Sequence, residues 1–370
     1  MQAGLPVPAS LRSGHDVHPV PVTLGRSTLE RMPKWLICVP LTVQWLWLAI
    51  RYRSLTLPSA ANPGITSGGL VGEGKLEYFE GMGPIASAAT ATYCAVSTHC
   101  MPSGAELRQM MRRSVLFFPL VAKPDLGLCG YGVRLLANMG ELQSYLAAFP
   151  PKETVVLQAY LPQEGEAGIF YARDPVTGNG RIIGLALRYY PRVTGDGVST
   201  IAKLIALDPR AGRSVNSRLH DCRHDARRIP AAGEVVRLAT IGSTRVGGLY
   251  RDGGSCITPQ LTAAVDAIAR DMPEFHFGRF DVRFNTLADL SAGRGITIME
   301  INGAGSEAIQ AWDPDIGLAA GLRMIFQKQS LLFAIGDAMR RRGVRPISLI
   351  ELIRLNLRQN RLIARYPPSN

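Results

Sequence analysis

A buried lysine and a run of glycines lie side by side in the middle of the sequence, and together they could bind a phosphate group. Residues 115–125 have the pattern of a buried strand ending at a proline, with Lys123 near its end. A buried ammonium group is costly unless it meets an anion. Glycines follow at positions 127, 130 and 132, and glycine lets a backbone approach a phosphate closely and point its N–H groups at it. The pattern indicates an anion site, although a plain hairpin turn would explain the glycines equally well.

The glycine loop does not match the common nucleotide-binding motifs. Residues 133–136 again have a strand pattern, so the loop joins two strands and not a strand to a helix. A Rossmann fingerprint needs a helix after its glycines, and the sequence contains no GxxxxGK[ST] phosphate loop. A phosphate site at this loop would therefore belong to a different fold.

Two later segments, 277–284 and 295–302, carry carboxylates in a strand pattern. Charged and apolar residues alternate, which places every second side chain on the same face. If the two strands pair antiparallel, four polar side chains share one patch, namely Arg279, Asp281, Glu300 and Asn302. Oxygen ligands from Asp, Glu and Asn suit Mg²⁺, which usually completes its coordination with phosphate and water. For either strand alone, surface carboxylates on an exposed sheet would be a sufficient explanation.

The overall composition is that of a folded, reduced protein. The 370 residues are 46% hydrophobic and 19% charged, which excludes wholesale disorder and indicates two or three lobes. Six cysteines show no paired CxxC spacing, so we expect free thiols in a cytosolic protein. His220, Cys222 and His224 could be imagined as a metal cluster, but their flanking arginines favour a solvated surface turn.

Positive charge is concentrated at the C-terminus. The net charge is +12, and residues 321–370 carry ten basic against two acidic residues. Such a segment could contact anionic lipid, RNA or an acidic partner through interactions that weaken with salt. A solvated, arginine-rich helix face is the simpler interpretation. We expect no specific nucleic-acid partner, because the rest of the chain is only weakly basic.

Residues 35–50 form an apolar, tryptophan-rich segment. Its sixteen residues are fewer than the ~20 that a bilayer-spanning helix needs, and Pro40 lies within it. No small-residue cleavage site follows, so we do not interpret it as a signal peptide. Three tryptophans between basic flanks suit a helix at a membrane interface. A buried helix of the N-terminal lobe, or a partner interface, is an equally open alternative.

The ordered motifs of the sequence resemble those of the ATP-grasp superfamily, most closely the D-alanine–D-alanine ligase and cyanophycin-synthetase-like carboxylate–amine ligases. The resemblance rests on segments 119–124, 127–132, 278–281 and 299–302 and extends from about residue 75 to about residue 311. It implies an α+β fold in which two α/β lobes grip ATP between antiparallel sheets. Beside this fold we expect a reduced N-terminal lobe and, beyond the range of the resemblance, a helical C-terminal extension. The expected divisions are 1–54 (tail and Trp-rich segment), 55–114 (reduced N-terminal lobe), 115–165 (small ATP-grasp lobe), 166–320 (catalytic lobe) and 321–370 (basic extension).

The resemblance also implies which residues bind the nucleotide. Two lysines hold the phosphates in the family, and a glycine loop closes over them. A hinge segment reads adenine through its main chain, and a carboxylate binds the ribose hydroxyls. The matching residues are Lys75, Lys123, Gly127, Gly130, Gly132, Gln158, Tyr160, Leu161 and Glu166, with Glu164 as the alternative ribose ligand. Gln158 is a departure, because the family often has an acidic residue at the start of this hinge.

Metal and substrate residues follow from the same resemblance. Asp281, Glu300 and Asn302 match the ligands of two Mg²⁺ ions, with Mn²⁺ as an alternative metal. The predicted catalytic residues are Lys123, Arg188 and Arg279, with Arg279 steadying charge on the acyl phosphate. The predicted substrate contacts are Arg245, Gly305 and Ser306, and a helix N-cap is the alternative role for Ser306.

Together these matches predict an ADP-forming carboxylate–amine ligase that works through an acyl phosphate. One alternative keeps the fold but phosphorylates a small alcohol. Another is a membrane- or RNA-associated binding protein with a relict ATP site. The expected partners are a small acid and an amine. Two further expectations are peripheral contact with the inner face of the membrane, through residues 35–50 and the basic C-terminus, and a homodimer.

Overall fold

The structure is a computed structural model that describes residues 27–212, 225–239 and 242–369. The helices are α1 (Thr28–Arg31), α2 (Lys34–Tyr52), α3 (Lys75–Phe79), α4 (Pro84–Ala88), α5 (Gly104–Arg113), α6 (Met139–Ala147), α7 (Ile201–Leu207), α8 (Pro259–Arg270), α9 (Leu287–Ser291), α10 (Leu318–Arg341) and α11 (Leu349–Ile363). The strands are β1 (Tyr93–Ser97), β2 (Leu120–Pro124), β3 (Arg134–Leu136), β4 (Thr154–Ala159), β5 (Gly165–Arg173), β6 (Gly180–Tyr189), β7 (Arg192–Thr194), β8 (Val235–Arg237), β9 (Leu249–Asp252), β10 (Phe277–Phe284) and β11 (Thr297–Asn302).

The strands form two main antiparallel sheets. The small sheet has the order β1-β4-β2-β3 and the large sheet the order β11-β10-β5-β6-β9, while β7 and β8 form a separate ribbon. Residues of both main sheets line one cleft. The mixture of helices and antiparallel sheets confirms the predicted α+β class, and the two sheets border a shared cleft as predicted.

Each sheet has its own apolar core, covered by amphipathic helices. On the small sheet, Leu107 of α5 and Leu142 of α6 pack against apolar side chains of the strands. On the large sheet, Leu261 and Val265 of α8 pack against β5, β6 and β10. The apolar residues recur at helical spacing along these helices, so each helix buries one stripe. Each sheet thus has a separate apolar core on its own side of the cleft.

The predicted antiparallel pairing of the two carboxylate-bearing strands is confirmed. In the ladder between β10 and β11, Asp281 lies opposite Glu300 and Arg279 lies opposite Asn302. Directly opposed residues on one face bring their Cβ atoms to roughly 5 Å. The four polar side chains therefore form the single patch that their alternation predicts.

Two strand predictions need correction. The strand predicted over 115–125 begins only at Leu120, and Val115 and Phe117 before it are exposed. Composition alone is misleading here, because the chain is still turning out of α5. Leu116 is buried in the core and Phe118 is partly buried against it, while their neighbours face solvent. The small, apolar residues of segment 86–98 likewise predict one strand with its turns. Its first part instead belongs to α4, which has Pro84 in its first turn, the position where proline is tolerated.

Helix α10 packs on the large sheet, and the N-terminal helix α2 packs on α10. The C-terminal extension is helical, as predicted, and α2 lies along α10. Gln44 Nε2 donates to Phe326 O at 2.9 Å, and the rings of Trp45 and Phe333 meet edge-on at 5.0 Å. Leu48 is buried in this contact. One face of the Trp-rich helix is thus a packing face.

Asn62 attaches the N-terminal segment to β10. Its side chain is fully buried, and its Nδ2 donates to Gly68 O at 2.9 Å and Phe277 O at 2.8 Å. Its Oδ1 accepts from the backbone N–H groups of His276 at 2.9 Å and Phe277 at 3.0 Å. One amide therefore satisfies four backbone groups that no water could reach.

We expect Asn62→Ala to lower the free energy of unfolding by at least about 3 kcal/mol, because a buried group left without a partner costs about 1–3 kcal/mol. Urea unfolding followed by circular dichroism measures the change. Asn179→Ala, at an exposed turn, is the control and should stay within about 0.5 kcal/mol of the wild type. Equal stabilities of the two variants would contradict the anchoring role.

Candidate active site

A cavity of about 410 Å³ lies where the two sheets meet, and most of the predicted site residues line it. From the small sheet and its loops come Lys123, Gly127, Gly130, Gln158, Tyr160 and Leu161. From the large sheet come Glu166, Arg188, Arg279, Asp281, Glu300, Asn302, Gly305 and Ser306. Lys75, Gly132 and Arg245 are not among its lining residues.

Lys123 crosses from one sheet to the other. Its Nζ donates to Gln158 Oε1 at 2.7 Å within the small sheet and to the backbone oxygen of Met299 in β11 at 2.8 Å. The side chain is buried, and burial lowers the pKa of Lys123 to about 8, an effect that the carboxylate of Glu300 opposes. Gln158 thus has a role that sequence reasoning missed, since its side chain holds the lysine.

Lys75 reaches the same carboxylate from the other side. Its Nζ lies 3.4 Å from Glu300 Oε1 and donates to Asp125 O at 3.3 Å. Burial acts to raise the pKa of Glu300, but the ammonium groups of Lys75 and Lys123 hold it below its ordinary value. Gly127 makes this approach possible, because a Cβ there would lie 2.9 Å from Lys75 Nζ. The structure therefore brings both predicted lysines to one glutamate.

Asp281 lies between two guanidinium groups. Arg279 makes a bidentate pair with it, with Nε–Oδ1 and Nη2–Oδ2 distances of 2.6 and 2.9 Å. Arg188 Nη1 lies 3.3 Å from Asp281 Oδ2 and 3.0 Å from Glu166 Oε1, so it bridges two buried carboxylates. Arg188 is therefore a structural link as well as a predicted catalytic residue.

Both carboxylate oxygens of Glu166 have hydrogen-bond or ion-pair partners. Besides Arg188, it accepts a short hydrogen bond from the Tyr190 hydroxyl and lies 3.5 Å from Arg283 Nη2. Burial acts to raise the pKa of Glu166, but the guanidinium groups of Arg188 and Arg283 keep it below its ordinary value. Glu164, the alternative ribose ligand, is outside the cleft lining and pairs with Arg192 at 2.5 Å. Of the two carboxylates, only Glu166 borders the cleft.

The donor set of Asp281, Glu300 and Asn302 suits a hard divalent cation. Two carboxylates and an amide oxygen are the ligand types that Mg²⁺ prefers. Asn302 Nδ2 donates to Asp281 Oδ2 at 3.3 Å, so the three side chains already lie together. The guanidinium group of Arg279 compensates the negative charge of Asp281, which is the role that a bound metal cation would also have. Within the described ranges no group of three His, Cys, Asp or Glu side chains forms a metal cluster, and residues 220–224 lie outside those ranges.

The glycine loop needs its glycines for backbone reasons. Gly130 and Gly132 have φ angles of 74° and 75°, in the left-handed region that other residues avoid. The predicted substrate residue Arg245 contacts this loop. Its Nε donates to Cys129 O at 3.2 Å, and its guanidinium lies 4.4 Å from the Tyr131 ring centroid. Arg245 therefore connects the large sheet to the loop of the small one.

The loop after β11 approaches the N-terminal segment closely. Gly305 N donates to Gly69 O at 2.6 Å, and a Cβ on Gly305 would lie 2.5 Å from Leu70 O. The alternative role of Ser306 as a helix N-cap is wrong, because the next helical turn begins at Ile309 and is preceded by Ala308. The Ser306 hydroxyl is instead buried without a hydrogen-bond partner in the described structure, at the cleft wall.

Several cleft residues escaped sequence reasoning. Glu73 borders the cleft from the N-terminal segment, and burial raises its pKa to about 7. Asn356, Gln359 and Asn360 of α11 border it from the C-terminus. The sequence does show that these three amides recur at helical spacing in an otherwise apolar and arginine-rich helix. That spacing predicts a shared helix face but does not predict that the face borders the cleft.

Comparison with solved structures finds several similar proteins. One is a bifunctional glutathione synthetase from Pasteurella multocida, with 16% identity and a TM-score of 0.36 over 69% of this chain. A second is D-alanine–D-alanine ligase from Bacillus anthracis, with 15% identity and a TM-score of 0.37 over 70% of this chain and 67% of that one. A third is D-cycloserine synthetase, with 13% identity and a TM-score of 0.38 over 71% of this chain and 70% of that one.

The chain spans 35% of the length of the glutathione synthetase. No protein-family model matches the sequence, and a search of curated proteins finds no match. At these identities the likeness concerns the fold alone.

We expect Arg188→Met to lower the free energy of unfolding by about 3 kcal/mol, because removing one partner of a buried ion pair leaves charge uncompensated. Here two carboxylates, Glu166 and Asp281, would lose the same partner. Arg181→Met, at an exposed position of the same strand β6, is the matched control and should change stability by less than about 0.5 kcal/mol. A loss no greater than that of the control would show that Arg188 does not stabilise the fold.

Proposed function

We propose that the protein is an ATP-dependent ligase that joins a carboxylate to an amine, in the manner of the ATP-grasp enzymes that its sequence resembles. One observation carries this proposal. Lys123 of the small sheet donates a hydrogen bond to the backbone of β11 beside Glu300, and Lys75 forms an ion pair with that glutamate. Two ammonium groups and a set of oxygen ligands thus meet at a glycine loop, as a magnesium nucleotide requires.

The cleft offers a place for each part of ATP. Val121, Leu135 and the backbone at 160–161 would contact adenine. Glu166 would accept hydrogen bonds from the ribose hydroxyls. Lys123 and the glycine loop would bind the phosphates.

Magnesium would be held by Asp281, Glu300 and Asn302, and Mn²⁺ could replace it. When bound, the ion would neutralise phosphate charge and polarise the transferred phosphoryl group.

The reactants themselves explain why the site is so cationic. A carboxylate and a triphosphate repel each other. Lys75, Lys123 and Arg279 must therefore supply positive charge before the two reactants can approach and react. The γ-phosphoryl group passes to a carboxylate oxygen, which gives an acyl phosphate and ADP. The amine nitrogen then attacks the acyl carbon, the bond from that carbon to the phosphate oxygen breaks, and the nitrogen loses a proton as amide and phosphate form. Positioning and fixed charge would account for most of the rate increase.

A kinase that phosphorylates a small alcohol could use the same nucleotide site. A ligase requires both an acid and an amine and forms an amide, whereas a kinase needs one acceptor and yields a stable phosphate ester. Screening acids and amines, singly and in pairs, for ADP release, with mass spectrometry of the products, separates the two. A protein with a relict site would show no Mg²⁺-dependent nucleotide binding.

We expect Glu300→Gln to abolish Mg²⁺-dependent ADP release while the protein stays folded, because the substitution removes the carboxylate that both lysines face. A coupled assay measures ADP, and circular dichroism checks the fold. Glu80→Gln, at an exposed position, is the control and should keep full activity. Undiminished turnover in Glu300→Gln would refute the metal and phosphate assignment.

We also propose that α2 contacts the surface of an anionic membrane. Its outward face carries a stripe of exposed apolar residues, namely Trp35, Leu36, Val39, Val43, Leu46, Trp47 and Ile50. The segment 34–52 contains no acidic residue, and Arg51 and Arg53 follow the stripe, with Arg51 lying over the Trp47 ring. Tryptophan and arginine beside an apolar face suit the headgroup region.

Among the described residues, Trp35–Tyr52 is a helix long and apolar enough to span a bilayer by length and composition. Its packing along α10 leaves one face for lipid, which favours peripheral contact.

We expect the double variant Val43→Glu, Trp47→Glu to reduce co-sedimentation with vesicles that contain phosphatidylserine, since two charges would enter the apolar stripe. Substitution is preferable to deletion, because Ile37 and Leu48 of the same helix are buried. Val176→Glu, which charges an isolated exposed apolar residue elsewhere, is the control. If the variant instead converts a dimer to a monomer and leaves vesicle binding unchanged, the stripe is a self-association surface and the membrane proposal is wrong.

A further inference from the structure

The C-terminal tail, residues 364–369, packs on the small sheet and reaches the glycine loop. Helix α11 ends at Ile363, and the Tyr366 ring then stacks on Phe149 with the ring centroids 5.0 Å apart, against the core of the small sheet. Two prolines follow Tyr366, and a proline ring fixes the φ angle of its residue. The tail therefore has little freedom between Tyr366 and Ser369.

Two hydroxyl groups of the tail donate to backbone carbonyl oxygens of the loop. The Tyr366 hydroxyl donates to Leu126 O at 2.6 Å, and Ser369 Oγ donates to Gly130 O at 2.7 Å. Burial raises the pKa of Tyr366, so its hydroxyl stays protonated and can donate. Ser369 is buried as well. The tail thus fixes the start and the middle of the loop.

The other groups of the loop divide by type. Three further carbonyl oxygens accept hydrogen bonds, those of Leu128 from Tyr131 N at 3.0 Å, of Cys129 from Arg245 Nε at 3.2 Å and of Gly132 from the Tyr145 hydroxyl at 2.8 Å. The N–H groups of residues 127–130 and of Gly132, by contrast, have no acceptor among the described residues. Satisfied acceptors and free donors are the arrangement that binds an anion.

The hydrogen bond from Tyr366 determines where one of these free donors points. A peptide unit is planar and trans, so its C=O and N–H groups point in opposite directions. Fixing Leu126 O therefore also fixes the N–H group of Gly127. Gly127 lines the cleft beside Lys75, because a Cβ on Gly127 would lie 2.9 Å from Lys75 Nζ. An anion held by that ammonium group would be close to the Gly127 backbone.

The hydrogen bond from Ser369 acts on the turn that follows. Gly130 O belongs to the same peptide unit as the Tyr131 N–H group, which donates to Leu128 O and closes the turn. Glycine has no Cβ to restrict rotation of the neighbouring peptide unit. Without the Ser369 hydroxyl, Gly130 O would be freer to turn toward the cleft, where a carbonyl oxygen repels phosphate.

We propose that Tyr366 and Ser369 are positioning residues of the nucleotide site, which orient the peptide units of the glycine loop so that its free N–H groups face the phosphates. This inference rests on the proposed nucleotide-dependent function and adds the C-terminal tail to that site. Donors that are oriented before the ligand arrives bind an anion without the cost of reorganising the loop.

The test uses the full chain in isothermal titration with two probes, Mg²⁺-ADP and adenosine. The double variant Tyr366→Phe, Ser369→Ala removes both hydroxyl groups and keeps the ring that stacks on Phe149. We expect it to weaken Mg²⁺-ADP binding by roughly tenfold and to leave adenosine binding unchanged, because only the phosphates meet the loop. Hydrogen exchange of the backbone amides at 126–132, followed by mass spectrometry without nucleotide, should become faster in the same variant.

Ser144→Ala is the matched control, because it removes a hydroxyl that donates to a backbone oxygen of the small lobe away from the loop, Gly140 O at 2.9 Å. It should change neither binding nor exchange. Equal losses of Mg²⁺-ADP and adenosine affinity in the double variant, or an unchanged Mg²⁺-ADP affinity, would overturn the positioning role. Failure of the wild type to bind Mg²⁺-ADP would instead refute the proposed function, so the two failures are distinguishable.

Discussion

The burial of one ammonium group couples the two sheets. Lys123 lies on β2 with its charge out of water, and such a charge is tolerated only where hydrogen bonds and opposite charge compensate it. Its two acceptors come from different sheets, Gln158 from β4 and the backbone of Met299 from β11. Lys123 therefore links the two sheets at the cleft by hydrogen bonds to both.

The carboxylates of the large sheet are compensated in a comparable way. Asp281 and Glu166 are buried, and Arg188 lies between them while Arg279 completes the pairing of Asp281. Replacing such buried ion pairs with apolar residues is often neutral or stabilising in proteins, so stability alone does not account for their presence. A polyanionic ligand with its cations would exchange partners with these groups, which is the role the proposed function gives them.

The two ends of the described chain complete the site. Asn62 fixes the N-terminal segment on β10, and that segment in turn contacts the loop after β11 at Gly305. The C-terminal helix lies against Gly72 and continues to the glycine loop through Tyr366. Segments far apart in sequence thereby border one cleft.

Local periodicity predicted much of this protein, because alternation and turn chemistry depend on neighbouring residues. The antiparallel patch of Asp281 and Glu300, the strand-to-strand glycine loop and the helical C-terminus followed from sequence patterns and are present in the structure. Sequence patterns did not predict four other features. These are the late start of β2, the hydrogen bond from Lys123 to Gln158, the contact of Arg245 with the glycine loop and the amide face of α11. These depend on which surfaces meet after folding. Lys123 and Gln158 are 35 positions apart and Arg245 and Cys129 are 116 apart, and such pairings leave no trace in the local order of one sequence.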